Sequence, residues 1–410
     1  MKRLLLVVLV AAMLVLAGCA DGGTETDEPT VDADDDLEDV DSNGAEDDTA
    51  ADGDETDPEE TDEPTVDADD DLEDIDSNGA GDDTTADENE SDPEETDKSE
   101  ADEPDSGDGP DVDGELEIHH IDVGQADATL LIEPSGETML IDSGDWRQGG
   151  SDVIEYLEDQ DVDRIDHLVA THGHADHIGG HDAIIEHYET ERDGIGTAYD
   201  SGVAHTSQTY ERYLDAVEDY DVELLIVEDS DHFEFGNANV DVLNPPEGDS
   251  GSDLHNNGVV LSIEFGEFSY LTTGDAEAAA EQRMVDEHGD QLEADAYQAG
   301  HHGSTTSSTT PFMDQVTPDV AIISSAYDSQ YGHPHDEVLE DFADRGIETY
   351  WTAVHGDVVL TTDGNDVELE TEHEFSTDAE DLLEEKPADD DDTQASITHP
   401  IDVPTAPLVG

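Results

Sequence analysis

The densest chemistry in the chain lies in "THGHADHIGG", Thr171 to Gly180, where His172, His174, Asp176 and His177 fall within six positions. Imidazole nitrogen and carboxylate oxygen are the donors that zinc and manganese accept. In an extended segment a His-x-His pair sets both rings on one side of the backbone. Four such groups so close together need a cation to offset their crowding. A solvated polar loop would account for one histidine or one pair. It does not account for the full set, which follows the apolar run "IDHLVAT" and precedes Gly179 and Gly180, a sharp turn into a helix.

Similar groups sit at the ends of other apolar runs. "MLIDSG" ends on Asp142, "YLTTGDA" places Asp275 after Gly274, and "AGHHGS" supplies His301 and His302 after "ADAYQA". His333 and His335 stand in "YGHPH", beyond "DVAIISS". His255, Asn256 and Asn257 lie just before "GVVLSIEF", where His255 is either a ligand or an exposed loop histidine. Strand ends deliver side chains to a rim where they can converge. His205, His232 and His288 are expected at the surface, and His181 at the start of a helix face.

The elements that would hold these ends are many strands with interspersed helices. Order is expected from Glu115, where "LEIHHIDV" alternates with the period of a half-buried strand. Further strands are predicted at "ATLLIE", "TMLID", "IDHLVAT", "GIGTAY", "VELLIV", "NVDVL", "GVVLSIEF", "FSYLTT", "ADAYQA", "DVAIISS", "GIETYWT" and "DVVLTT". Helices are predicted at Asp152 to Asp159, Gly180 to Tyr188, Thr206 to Asp219, Ala276 to His288 and Asp336 to Arg345. About 260 residues, 115–375, suffice for a single large core.

The full His-x-His-x-Asp-His resembles the signature of the metallo-β-lactamase superfamily. That resemblance implies a mixed α/β (α+β) fold, a four-layered αββα sandwich with a metal site at one edge. It implies two divalent ions, Zn2+ or Mn2+, one on His172 and His174 and the other on Asp176 and His177. Asp275 would bridge them, and His301 or His302 would be the last histidine ligand. Asp142 would support a ligand or lie beside the metals. Paired metals can activate a water and polarise the group under attack. Asp176 or Asp142 could then assist proton transfer, and His333 could stabilise developing charge or protonate a leaving group.

"HHIDVGQADATLL", "NNGVVLSIEFGEFSYLTTGDAE", "GHHGS" and "YGHPH" together look like the extracytoplasmic hydrolase domain of ComEC-type competence proteins, over about Leu116 to Leu369. Ala126 stands where the subfamily's DVGQGDA has its middle glycine, and Gly258 where a serine usually follows the paired asparagines. No second long apolar segment is present, so a channel role is not implied for this polypeptide alone. A separate membrane channel is a conceivable partner.

Composition adds a setting. The chain carries 117 Asp plus Glu against 10 Lys plus Arg, a formal net charge of -107, which suits a halophilic protein kept hydrated by surface carboxylates. Met1 to Arg3, the apolar Leu4 to Ala17 and "LAGCA" resemble a signal peptide with a lipobox, residues 1–19, in which Cys19 is lipidated. Residues 20–114 hold almost nothing apolar and repeat "TDEPTVDADDDLED" 35 positions apart, from Thr26 and from Thr61. Such a segment is expected to be a disordered acidic tether, and residues 376–410 a disordered tail. A lipid-anchored protein on the extracellular face of the membrane is the resulting expectation.

A phosphodiester, with DNA foremost, is the substrate the competence resemblance suggests. The acidic charge counts against nucleic acid, which usually meets basic patches. In molar salt the objection weakens, because the Debye length falls to about 3 Å. A smaller phosphodiester or a lactone could use the same core, and a non-catalytic surface lipoprotein is the alternative of another class. Loss of a metal ligand would favour that alternative, and the ligand set here is complete. Oligomeric state is not legible from the sequence.

Overall fold

The computed structural model describes residues 112–248 and 250–387. The signal peptide, Cys19, the acidic repeat and the terminal residues 388–410 lie outside the described residues. The described N-terminal half runs β1 (Leu116–His120), β2 (Thr129–Ile132), β3 (Thr138–Ile141), α1 (Ser151–Asp159), β4 (Ile165–Val169), α2 (His181–Glu191), β5 (Ile195–Asp200), α3 (Gln208–Asp219) and β6 (Glu223–Ile226). Then follow β7 (His232–Phe235), β8 (Ala238–Asn244), β9 (Val260–Phe265), β10 (Phe268–Thr272), α4 (Ala278–His288), β11 (Ala296–Gln298), α5 (Thr310–Val316), β12 (Val320–Ile323) and α6 (Asp336–Arg345). The last elements are β13 (Glu348–Trp351), α7 (Thr352–His355), β14 (Val358–Thr362), β15 (Val367–Thr371) and α8 (Ala379–Glu385).

The strands form an eight-stranded sheet, ordered β15-β14-β1-β2-β3-β4-β5-β6, and a seven-stranded sheet, ordered β13-β12-β11-β10-β9-β8-β7. Each sheet is part antiparallel and part parallel, with β3 to β6 parallel in the first and β10 to β13 parallel in the second. Side chains alternate across each strand. On β10, Tyr270 faces the other sheet while Leu271 faces the helices, and on β12 Ile322 and Ile323 divide in the same way.

Three apolar clusters follow from that alternation. One lies between the sheets, with Ile118, Met139 and Val169 from the first against Ile263, Tyr270 and Ile322 from the second. Another joins the outer face of the first sheet, at Leu130, Leu140 and Leu168, to Leu157, Ile184 and Tyr213 of α1, α2 and α3. The third joins Leu271, Tyr297 and Ile323 to Met284, Phe312, Phe342 and Leu382 of α4, α5, α6 and α8. Three clusters between layers make four layers, the expected αββα sandwich. Among the described residues no helix is long and apolar enough to cross a membrane.

The C-terminal boundary differs from the expected 375. Helix α8 buries Ala379 and Leu382 in the third cluster, and Asp378 caps it by accepting from Glu380 N–H at 3.0 Å. Acidic "AEDLLEE" reads as tail because one turn of apolar contact is enough to fold it. Glu385 O accepts from Tyr327 Oη, and Lys386 pairs with Asp336, which fixes the helix end to the loops near α6.

The turn into α2 explains the paired glycines. A Cβ at Gly179 would stand 2.1 Å from Trp146 N, and one at Gly180 would stand 2.7 Å from Ser143 O. Backbone cannot yield there as a flexible side chain could, so the ligand loop is pressed against the segment after β3. Gly179→Ala should therefore destabilise the fold by about 1–3 kcal/mol or more. Thermal unfolding should show a drop of several degrees, and an unchanged transition would refute this reading of the turn.

Candidate metal centre

The site lies where parallel strands end. Asp142 follows β3, His172 follows β4, Asp275 follows β10, His301 and His302 follow β11, and His333 lies in the loop after β12. Open parallel sheets collect ligands at the carboxyl ends of their strands.

Asp275 is buried, and its two oxygens face different groups. On one side Oδ2 is 3.6 Å from His172 Nε2 and 3.9 Å from His255 Nε2. His174 Nδ1 lies 2.9 Å from His172 Nε2 and 3.2 Å from His255 Nε2. His172, His174, His255 and Asp275 thus present four ligand atoms within 4.8 Å of one another. On the other side Asp275 Oδ1 is 3.2 Å from His177 Nε2 and 3.8 Å from His302 Nε2. His302 Nε2 is also 3.5 Å from Asp176 Oδ2.

The far nitrogens of these rings are tied down, which decides what the near ones offer. Thr171 Oγ1 donates its hydrogen to Asp142 Oδ2 at 2.7 Å, so it can only accept from His172 Nδ1, 3.1 Å away. His177 Nδ1 donates to Asp142 Oδ2 at 2.8 Å, and His302 Nδ1 to Ser324 O at 2.9 Å. His255 Nδ1 faces Glu277 Oε1 at 3.3 Å. Each neutral ring then turns a bare Nε2 lone pair inward. His177 Nε2, His302 Nε2 and Asp275 Oδ1 are buried without a hydrogen-bond partner. Three buried polar atoms left unbonded at one point are costly in a dry interior, and a divalent cation in place of the ring protons would satisfy all three. The donor set of imidazoles and carboxylates fits Zn2+ or Mn2+.

Charge says the same. Burial would lower His177 and His302 and raise Asp275, yet the pairs override it. Asp275 and Asp142 hold His177 well above the usual imidazole value, and Asp127 and Asp275 push His302 up to about 9. His177 and His302 in turn hold Asp275 well below the carboxylate range. Burial raises Asp176 too, but His302 and His177 bring it down. On the other side His172 is lowered well below 6.5 by burial and by His177, and His174 is brought to about 4 by burial and His255.

His301 and His302 divide the two sides between them. Both have left-handed backbone, φ 51° and φ 57°, which turns consecutive rings apart at a cost in strain. His302 faces Oδ1 of Asp275, whereas His301 Nε2 is 3.6 Å from Oδ2 and its Nδ1 is 3.1 Å from Thr306 Oγ1. Asp142 has no free oxygen: Oδ1 accepts from Thr171 N–H at 2.9 Å, and Oδ2 from Thr171 Oγ1 and His177. It orients His172 and His177 and has no group left for proton transfer to a substrate. Asn256 and Asn257 are not among the converging donors; Asn256 Oδ1 accepts from Ala280 N–H at 3.2 Å, and Asn257 Nδ2 donates to Asp253 O at 2.7 Å.

Several residues enter that spacing alone did not single out. Buried Asp127 accepts from Gln298 Nε2 at 2.9 Å and faces His302 Nδ1 at 3.5 Å, and burial raises its carboxyl. Asp127 and Gln125 both lie within the "DVGQADA" stretch that carries the competence resemblance, which was the signal available. His205, expected at the surface, instead donates to Gly173 O at 3.0 Å beside the His174 ring. His181 opens α2 as expected and lies on its buried face, with Nδ1 2.6 Å from Ser143 Oγ. Ala126 packs its methyl into the second cluster without a left-handed backbone, so it replaces a glycine at no conformational cost.

An αββα sandwich with this double set of ligand atoms defines the hydrolase fold that binds divalent metals, usually two. A profile of the metallo-beta-lactamase superfamily matches residues 121–326, and the chain belongs to that superfamily. Its relatives include ComE operon protein 3 of Bacillus subtilis, 29% identical over 265 residues, which are 61% of this chain and 33% of that protein. Recombination protein 2 of Haemophilus influenzae is 31% identical over 246 residues, 59% of this chain and 28% of that protein. Competence protein ComA of Neisseria gonorrhoeae is 27% identical over 238 residues, 57% of this chain and 30% of that protein. The chain therefore spans about a third of the length of the curated relatives it matches.

Metal binding should be linked to pH. In the metal-free protein the raised His177 and His302 hold protons at neutral pH, and a cation must displace them. Affinity should weaken as pH falls, and proton release should decline as pH rises through about 9, the value for His302. Calorimetric titration with Zn2+ or Mn2+ in buffers of different ionisation enthalpy measures the protons released. Release that is constant from pH 6 to pH 10 would contradict the assignment.

Proposed function

We propose that the chain is a metal-dependent phosphodiesterase with DNA as the foremost substrate. The observation that carries this is the carboxylate of Asp275 shared between two groups of inward imidazoles. His172, His174, His255 and Asp275 would hold one divalent ion, and His177, His302 and Asp275 the other, with Asp127 converging on the same side and Asp176 Oδ2 3.5 Å from His302 Nε2. When bound, such a pair supplies Lewis-acid polarisation of a phosphoryl oxygen and a nucleophile at neutral pH. Asp142, Thr171, Glu277, Ser324 and Asp127 keep the ligand rings in register.

The surroundings support a phosphodiester held by metals and histidines. Every arginine and lysine among the described residues is paired with a carboxylate: Arg147, Arg164, Arg192, Arg212, Arg283, Arg345 and Lys386. Unpaired positive charge is thus scarce among the described residues, which leaves the centre itself as the principal holder of a phosphate. His333 is buried with its ring 5.8 Å from that of His301. Two exposed aromatics border the centre. Trp146, 47% exposed, bonds through its backbone N–H to Ala175 O of the ligand loop, and Tyr331, 58% exposed, has its ring 5.6 Å from His333. Exposed aromatics are platforms for unstacked bases, which favours single strands over duplexes. The competence relatives point to nucleic acid as well. A lipid anchor at Cys19 and an extracellular station on the membrane complete the proposal, on the strength of "LAGCA" and the acidic segment that follows.

The test is hydrolysis in molar salt with Mn2+ or Zn2+, comparing single-stranded DNA, duplex DNA, bis-p-nitrophenyl phosphate and a lactone. Single-stranded DNA and the model diester should be cleaved, and His174→Ala or Asp275→Ala should remove metal content and cleavage together. Cleavage of the lactone alone would overturn the phosphodiesterase reading. Full activity in either variant would overturn the metal centre.

A further inference from the structure

One residue outside the ligand set determines what His333 can do. Gln125 lies between β1 and β2, and its Nε2 is 3.2 Å from His333 Nδ1. Its other amide end is committed, because Oε1 accepts from Ala326 N–H at 3.3 Å. A backbone N–H can only donate, so it selects the carbonyl end of the amide and leaves the NH2 end for the ring. An amide NH2 cannot accept, so Nδ1 of His333 must. The hydrogen of the neutral ring is then on Nε2, which has no hydrogen-bond partner among the described residues.

The neighbouring histidine is fixed separately and does not compete. His335 Nδ1 accepts from Thr305 N–H at 2.9 Å and its Nε2 donates to Tyr331 O at 3.2 Å, so His335 anchors the loop. That loop is also bound by His335 N–H to Gly303 O, directly after the two left-handed histidines. The His333 ring stacks 6.2 Å from His302 and lies 5.8 Å from His301. A single amide thus links the loop after β1, the segment after β12 and the His333 ring that stacks beside His302.

We propose that Gln125 is a positioning residue that fixes His333 as the Nε2–H tautomer, making His333 a hydrogen-bond donor to a substrate oxygen and not a general base. Only the identity of that oxygen, a phosphoryl oxygen, rests on the phosphodiesterase reading; the tautomer stands apart from it. No covalent step is involved. The donor meets negative charge as it develops, as donors of an oxyanion hole do.

The experiment has one arm that needs no substrate. In the metal-loaded full chain labelled with 15N, long-range proton–nitrogen spectra report which ring nitrogen of His333 carries hydrogen, with His333→Gln used to assign the signals. Wild type should show protonated Nε2 and bare Nδ1. Gln125→Glu replaces the donating NH2 with an acceptor, so Nδ1 should become protonated. In the other arm, bis-p-nitrophenyl phosphate hydrolysis by Gln125→Glu should lose on the order of 100-fold in kcat, with KM within about threefold. Hydrogen on Nδ1 in the wild type, or a tautomer unchanged in Gln125→Glu, would overturn the proposal. Wild type that cleaves no phosphodiester yet shows the expected tautomer would overturn the substrate reading alone. Should Gln125→Glu fail to fold, the wild-type spectrum still decides.

Discussion

A carboxylate buried among imidazoles is the interaction on which the site depends. Asp275 has almost no contact with water, and a charge in such a place is tolerated only when it is paired. The pairing is double, with His172 and His255 facing one oxygen and His177 and His302 the other. Without a cation, two of those rings are driven to hold protons by carboxylates around them. Protons and metal ions are thus alternatives for the same space, and the protein's fold makes that exchange the natural response of the site.

Orientation is delegated to groups one bond further out. Asp142 holds Thr171 and His177, Thr171 holds His172, Ser324 O holds His302 and Glu277 faces His255. Each contact fixes a tautomer as well as a direction, so a set of neutral rings presents lone pairs to one place. The left-handed backbone at Asp142, His301 and His302 is where this arrangement costs strain, and strain of that kind persists only where surrounding bonds over-determine it.

Much of this was legible in the sequence. Helices α1 to α4, helix α6 and most strands announced themselves by period, whereas α5 and α7, of seven and four residues, are too short to show one. His172, His174, Asp176, His177 and Asp275 stood out by their places at strand ends. Strands β7 and β15 escaped because they lie at or near sheet edges, where exposed acids such as Glu234, Glu368 and Glu370 interrupt short apolar runs. Helix α8 escaped because "AEDLLEE" offers two buried residues and five of ordinary tail composition. Asp127, Gln125 and His205 were not separable by spacing, since each acquires meaning only through a contact made far along the chain. The pair at His301 and His302 could not be resolved either, because only backbone geometry turns the two rings apart.

Each group of ligands draws on both sheets. His172, His174, Asp176 and His177 come from the end of β4 in one layer, and His255, Asp275 and His302 come from segments of the other. Ions bound there would act as a clasp across the seam of the sandwich, in addition to the apolar seal between the layers. Whatever binds only the folded form stabilises it by mass action. The same ions that serve chemistry would then govern how firmly the two halves stay closed, and a chelator would act on the architecture as well as on the reaction.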